Sequence, residues 1–171
     1  AKILPKFFDS PVKVKEDLLY RYICFVEPSL IRVDADEVTY PLHVIIRYKI
    51  EKLLINGDIN AEDLPQVWNE MYGDILGIKP KNDTEGCLQD IHWYGGWFGY
   101  FPTYSLGAII AAQLKATMVK DISGFDEHLQ HGNVAFIIKW LKNNIHSQGS
   151  LHLTSDALMH FATSKNIDSE Y

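Results

Sequence analysis

Val38 to Leu54 reads V-T-Y-P-L-H-V-I-I-R-Y-K-I-E-K-L-L. Apolar residues fall at Leu42, Ile45, Ile46, Ile50, Leu53 and Leu54, the spacing of one face of an α-helix. His43, Arg47 and Glu51 are spaced i, i+4, i+8 on another face, where Arg47 is expected to pair with Glu51. Pro41 lacks an N–H and fits only a first turn, so the helix starts near Thr39, and Gly57 stops it. Working outward, the same period predicts a helix over Lys13 to Val26, with Leu18, Leu19, Tyr22, Cys24, Phe25 and Val26 mostly inward. Asn60 reads as a cap for Ala61 to Leu76, whose Leu64, Val67, Trp68, Met71, Tyr72 and Ile75 share a face. Tyr104 to Val119 is a further helix, with Gly107, Ala108, Ala111 and Ala112 small enough for close helix packing. Phe125 to Gln130, Val134 to Ile145 and Ser155 to Thr163 complete the set, the last capped by Thr154 or Ser155. No alternating strand pattern persists and no repeat is visible. The expected fold is all-α, with six or seven helices in a single helical unit over residues 1–171.

Composition agrees with a soluble globular chain: 171 residues, 47% apolar and 22% charged. The net charge of −6 argues against nucleic acid as a partner. No apolar run is long enough for a membrane span, and no secretion signal is visible, so a cytoplasmic location is expected. Cys24 and Cys87 stand in no C-x-x-C arrangement and are expected to be reduced, buried thiols.

One stretch departs from this ordinary pattern. His92 to Tyr104 reads H-W-Y-G-G-W-F-G-Y-F-P-T-Y, with seven of the chain's 21 aromatic residues clustered around three glycines. Either this loop staples helices together, or it presents tyrosine hydroxyls and an imidazole to a substrate. Just upstream, Asp90 and His92 are spaced to form a carboxylate–imidazole pair. Arg32 lies beside Asp34, Asp36 and Glu37, and an internal salt bridge to one of them is the plain structural alternative to a binding role.

Taken together, these segments carry a resemblance. Ile31 to Arg47, I-R-V-D-A-D-E-V-T-Y-P-L-H-V-I-I-R, resembles the I-R-x-x-A-D region of the Taq-type thermostable metallocarboxypeptidases. Gly86 to Trp93, G-C-L-Q-D-I-H-W, matches that family's G-x-x-Q-D-x-H-W at every specified position. Gly99 to Gly107 and Trp140 to Leu151 also look like the family. The resemblance implies an all-helical peptidase, considerably longer than this chain, that releases single residues from peptide C-termini. Its zinc or cobalt is held by an H-E-x-x-H helix and a nearby glutamate. None of the seven histidines here is followed by Glu, so the metal ligands are expected outside this chain and no metal is expected bound to it. His128 and His131 are the rival pair, and they fall after the second signature rather than before the first. The chain therefore resembles the C-terminal third of such an enzyme, inactive alone. Its expected partners are peptide substrates and the rest of the same enzyme, in a homo-oligomer.

The resemblance also assigns roles. Arg32 is expected to grip the substrate's terminal carboxylate through its planar fork, with Asp36 either orienting it or supporting the metal site. His92 and Tyr100 are the expected donors to the scissile carbonyl oxygen, because Gly96 to Tyr100 is also similar to the glycine and tyrosine loop of thimet-type oligopeptidases. Asp90 would hold the His92 ring. Tyr104 is a weaker substrate contact, and Gln89 is either substrate-facing or structural. Two other readings compete: a stand-alone, non-catalytic helical interaction module derived from the enzyme, and an unrelated helical domain binding a small anion at Arg32. Having Arg32, Asp90, His92 and Tyr100 together weighs against the first, and the two long signature matches weigh against the second.

Overall fold

A computed structural model describes residues 15–171. Among them are seven α-helices and no strand: α1 (Glu16–Ile23), α2 (Tyr40–Asn56), α3 (Leu64–Leu76), α4 (Pro102–Asp121), α5 (Phe125–Gln130), α6 (Ala135–Asn144) and α7 (Ser155–Thr163). The all-α expectation holds. No helix among the described residues is long and apolar enough to cross a membrane. The chain divides into two compact units, where one was expected: the described residues up to Pro102, and Thr103–Tyr171.

In the first unit α2 packs on α3, with Ile46, Ile50, Trp68, Tyr72, Leu76 and Cys87 forming the buried core. Pro41 sits in the first turn of α2 after Thr39, as its missing N–H requires, and Gly57 ends the helix at φ 76°. Asp63 Oδ2 accepts from Asn60 N and starts the turn into α3. The face of α2 differs from the expected one. Ile45 is exposed, Val44 is buried, and the polar row His43, Arg47 and Glu51 is buried as deeply as the apolar row. The buried sector of α2 is wider than its apolar row and takes in the polar row beside it, while Pro41, Ile45, Tyr48, Lys52 and Ile55 line the exposed face, a placement the 3.6-residue period does not reveal.

Helix α1 corrects a second expectation. It spans Glu16–Ile23, and Leu18, Tyr22, Phe25 and Val26 are exposed rather than inward. Lys13 and Val14 of the expected helix lie outside the described residues. Cys87 is buried, but Cys24 is exposed, and neither forms a disulfide.

In the second unit Met118, Phe125 and Trp140 form the core, and Trp140 Nε1 donates to Asp121 Oδ2 at 2.9 Å. Gln113, fully buried on α4, donates to Thr163 Oγ1 and Asn166 O and accepts from Asp168 N, fastening the C-terminal segment. Thr154 caps α7 by accepting from Ala157 N. Gly107, Ala108 and Ala111 face outward, and a Cβ at Gly107 would meet nothing within 4 Å. The close packing expected there is not made among the described residues.

Candidate functional site

The site is built on one buried carboxylate. Asp90 lies in the loop after α3 and faces two arginines. Its Oδ1 accepts from Arg32 Nε at 2.9 Å and Arg32 Nη2 at 2.7 Å, and its Oδ2 accepts from Arg47 Nε at 2.6 Å. All three side chains are nearly sealed from solvent, Arg47 completely. Gln89 ties the same elements: its Oε1 accepts from Arg32 N and Arg47 Nη2, and its amide donates to the carbonyls of Leu30, Glu85 and Gly86. With its polar atoms engaged in this way, Gln89 acts as a structural tie. Its substrate-facing alternative is not what the geometry shows.

Two further groups complete the network. Tyr72 Oη accepts from Arg47 Nη1 and donates to Leu30 O, and His43 Nδ1 lies 3.0 Å from the same oxygen. His43 Nε2 is buried with no hydrogen-bond partner. Burial, followed by the charges of Arg47 and Arg32, lowers the His43 pKa to about 4, so the ring is neutral near pH 7. Burial pushes the Asp90 pKa up, but Arg47 and Arg32 outweigh it, and the carboxyl stays below its ordinary range.

Acid stability follows with a definite sign. Between pH 6.5 and about 4 the unfolded chain binds a proton at residue 43 that the folded chain excludes. Stability is therefore full above pH 6.5 and falls as pH drops through that window, by about 3 kcal/mol. Asp90 adds a second loss at lower pH, as its depressed carboxyl becomes protonated. Urea midpoints at pH 7.5 and 4.5 measure the first loss, and His43→Gln should flatten the slope between them. An unchanged slope in that variant would mean His43 is not the titrating group.

Three pairing expectations for the acidic residues are corrected here. The Asp90–His92 hydrogen bond is not made: Asp90 Oδ1 is 3.8 Å from His92 Nδ1, beyond hydrogen-bond reach, because the arginines hold the carboxylate. Asp36 orients the chain entering α2 instead of Arg32. Its Oδ1 accepts from Val38 N and Thr39 N, and its Oδ2 from Thr39 Oγ1 and Glu27 N. Those bonds, first that from Thr39 N, hold its pKa down to about 2. Arg47 likewise pairs with Asp90, not with Glu51.

The aromatic loop divides into a packed half and an exposed half. Its inner half is a staple: Phe101 is fully buried, with its ring 4.3 Å from His92 and 5.8 Å from Trp93, and both arginines lie over it at 5.5–5.7 Å. Its outer half, Tyr94, Trp97, Phe98 and Tyr100, is exposed. The ring of Tyr100 lies 5.6 Å from that of His92. His92 is buried, and burial lowers its pKa despite the opposing pull of Asp90. The structure thus brings Arg32, Gln89, Asp90, His92 and Tyr100 together in the first unit. Tyr104 lies in the first turns of α4, in the second unit.

His43, Arg47, Tyr72 and Phe101 were not singled out from the sequence as members of the site. A signal existed for Arg47, an arginine directly after Ile46 in a run of core residues. A buried tyrosine on α3 also needs a partner for its hydroxyl, which pointed to Tyr72.

Among the described residues no three His, Cys, Asp or Glu side chains converge where they could hold a metal ion. His128 and His131 are engaged separately: His128 Nδ1 lies 3.2 Å from Asn133 Nδ2, and His131 Nδ1 lies 2.8 Å from Glu127 O. The described residues do not fit a resident metal.

Comparison with known proteins gives one consistent answer. Residues 1–171 match the family described as Carboxypeptidase Taq (M32) metallopeptidase. Carboxypeptidase 1 of Bacillus subtilis is 51% identical over 143 residues, covering 82% of this chain and 28% of that protein. The structure of Pyrococcus furiosus carboxypeptidase superposes with a TM-score of 0.92 at 38% identity, covering 99% of this chain and 34% of that one. Metallocarboxypeptidase 1 of Trypanosoma cruzi gives a TM-score of 0.88 at 44% identity, covering 99% of this chain and 35% of that one. The chain therefore spans about a third of the length of the relatives it matches.

Proposed function

The chain belongs to the carboxypeptidase Taq (M32) metallopeptidase family, and from that membership we propose that it forms the C-terminal part of a metal-dependent carboxypeptidase. In this reading it supplies substrate-binding and charge-stabilising residues, while the rest of the enzyme supplies the ligands for zinc or cobalt. Its partners are peptide substrates and that remaining part. A cytoplasmic homo-oligomer belongs to the same reading, and the exposed apolar residues of α1 support a further covering surface.

One observation carries the proposal: Arg32 and Arg47 converge on Asp90 in one buried network, and of the two guanidinium groups only Arg32 keeps some exposure. An anionic peptide terminus suits a guanidinium held in this way, whereas the neutral peptide interior offers no matching charge. Arg32 is the contact we assign to it. The Nε–Nη2 edge of its guanidinium already rests on Asp90, so the fork-to-fork clamp expected from the sequence is modified. Arg32 acts through its charge, on a base fixed by Asp90 and Tyr40.

The reaction itself places negative charge on the scissile carbonyl oxygen. His92, held neutral, and the Tyr100 hydroxyl are the donors we assign to that oxygen. Their value lies in being fixed beforehand, since donors already aimed need no reorganisation as charge develops.

In the complete enzyme, Arg32→Ala is expected to raise KM for peptides with a free C-terminus about 10–100-fold, the worth of one charge-assisted hydrogen bond. The change in kcat should be smaller, and Arg32→Lys should recover part of the loss. Steady-state kinetics on an N-blocked dipeptide measures both constants. Arg32→Ala leaving both unchanged would remove the carboxylate-binding assignment.

A further inference from the structure

We propose that Glu51 is the positioning residue for Tyr100: its buried carboxylate fastens the aromatic loop at both Trp93 and Gly99, and so fixes the turn that carries the Tyr100 hydroxyl. The proposal rests on the reading of Tyr100 as a donor to the reacting carbonyl oxygen.

Glu51 lies on α2, one turn beyond Arg47, and is almost completely buried. Among the described residues no lysine or arginine pairs with it. Its partners are two neutral N–H groups at the two ends of the loop. Oε1 accepts from the Trp93 indole N–H at 2.8 Å, and Oε2 accepts from the Gly99 backbone N–H at 3.1 Å. A buried carboxylate without a counter-ion is costly, and an apolar residue would pack an ordinary core more cheaply. Its position is explained by what it holds.

The geometry of the loop shows why the anchor matters. Gly99 has φ +78°, a left-handed conformation that lets the chain reverse immediately before Tyr100. A Cβ at Gly99 would meet nothing within 4 Å, so the glycine serves backbone conformation and not close packing. The rest of the loop holds itself locally, with Trp97 N donating to His92 O at 2.8 Å. Without Glu51 the Gly99 amide would lose its side-chain anchor, and the tyrosine that follows would lose its fixed base.

The chemistry also requires this residue type. Both anchors are donors, so the residue between them must accept at both ends. Ionised glutamate has two acceptor oxygens, whereas glutamine would set an NH₂ group against one of the N–H donors. Glu51→Gln is thus nearly isosteric but releases one end of the loop. α2 then serves two purposes from one buried row: Arg47 fixes the charge network, and Glu51 fixes the loop.

The test uses the complete enzyme and an N-blocked dipeptide substrate. Glu51→Gln should lower kcat about 10–100-fold, the scale expected when a reacting group is misplaced by about an ångström, with KM changed much less. Combined with Tyr100→Phe it should add little beyond Tyr100→Phe alone, because both changes remove the same donor. Trp93→Phe keeps the ring but deletes the indole N–H, and should lower kcat in the same sense by less. It decides the matter if Glu51→Gln does not fold. Wild-type kcat in Glu51→Gln, or in Trp93→Phe where the first is insoluble, overturns the proposal while Tyr100→Phe remains impaired. Losses that multiply fully in the double variant also overturn it, since Glu51 would then act elsewhere. Wild-type kcat in Tyr100→Phe removes the reading beneath the proposal, and both fall.

Discussion

Asp90→Ala should lower the melting temperature of the chain by about 6–20 °C. Removing the carboxylate strands two guanidinium groups that share it, one completely buried and the other nearly so. Breaking a buried ion pair by deleting one partner costs about 3–5 kcal/mol, because the remaining charge is left without compensation. For a chain of this size each kcal/mol moves the midpoint by about 2–4 °C. The cost here belongs at the upper end. Both arginines also lie over Phe101, and Arg47 lies 4.6 Å from the Trp68 ring centre, so neither can turn outward without opening the core. Asp90→Asn keeps the shape and loses only the charge, and should fall between the two. Thermal melts followed by helical circular dichroism measure the series. A shift under 2 °C for Asp90→Ala would mean that water reaches the arginines and the network is not a buried one.

The second large effect is kinetic. Tyr100→Phe in the complete enzyme should lower kcat about 10²–10³-fold while leaving KM close to its normal value. That is the measured scale for deleting one pre-aimed donor to a developing oxyanion. Loss in kcat without loss in KM is the signature of an interaction made only in the transition state. Tyr100 is suited to this because its ring is half exposed, between a buried, neutral His92 and the fully buried ring of Phe101 that follows it in the chain. Phenylalanine preserves that packing and removes only the hydroxyl. A kcat within twofold of the wild type would remove Tyr100 from the reaction. The same experiment separates Tyr100 from Arg32, whose loss should appear mainly in KM.

Much of the scaffold was legible in the sequence, for identifiable reasons. Pro41, Gly57 and Gly77 act through backbone conformation, which depends little on tertiary surroundings, and α2 and α3 end where these residues direct. The helical period located every α-helix among the described residues, with boundaries off by a few positions. The two quoted signatures pointed to the family to which the chain belongs. The exposed apolar residues of α1 were misread for a simple reason. A periodic pattern marks a face that prefers burial, but it does not say whether anything within this chain covers it.

The partners of the charged residues were not legible. Arg47 has Glu51 one turn away on its own helix, and local spacing pairs them. Tertiary packing brought Asp90 from a loop 43 positions further along the chain, and Arg47 turned to it. Asp36 was expected either to orient Arg32 or to support the metal site, yet its oxygens accept from Glu27 N, Val38 N, Thr39 N and the Thr39 hydroxyl at the entrance to α2, and not from Arg32. Asp90 was read as a partner of His92, two residues away, but two arginines compete for the same carboxylate and win by charge and geometry. The sequence by itself determined the helices, their ends and the residue types of the site, because these follow from local backbone preference and periodicity. Which charge meets which, and that Glu51 holds the aromatic loop, only the tertiary structure decided. Buried polar groups take the partners that folding brings within hydrogen-bond reach, and the distance that governs this is measured in space rather than along the chain.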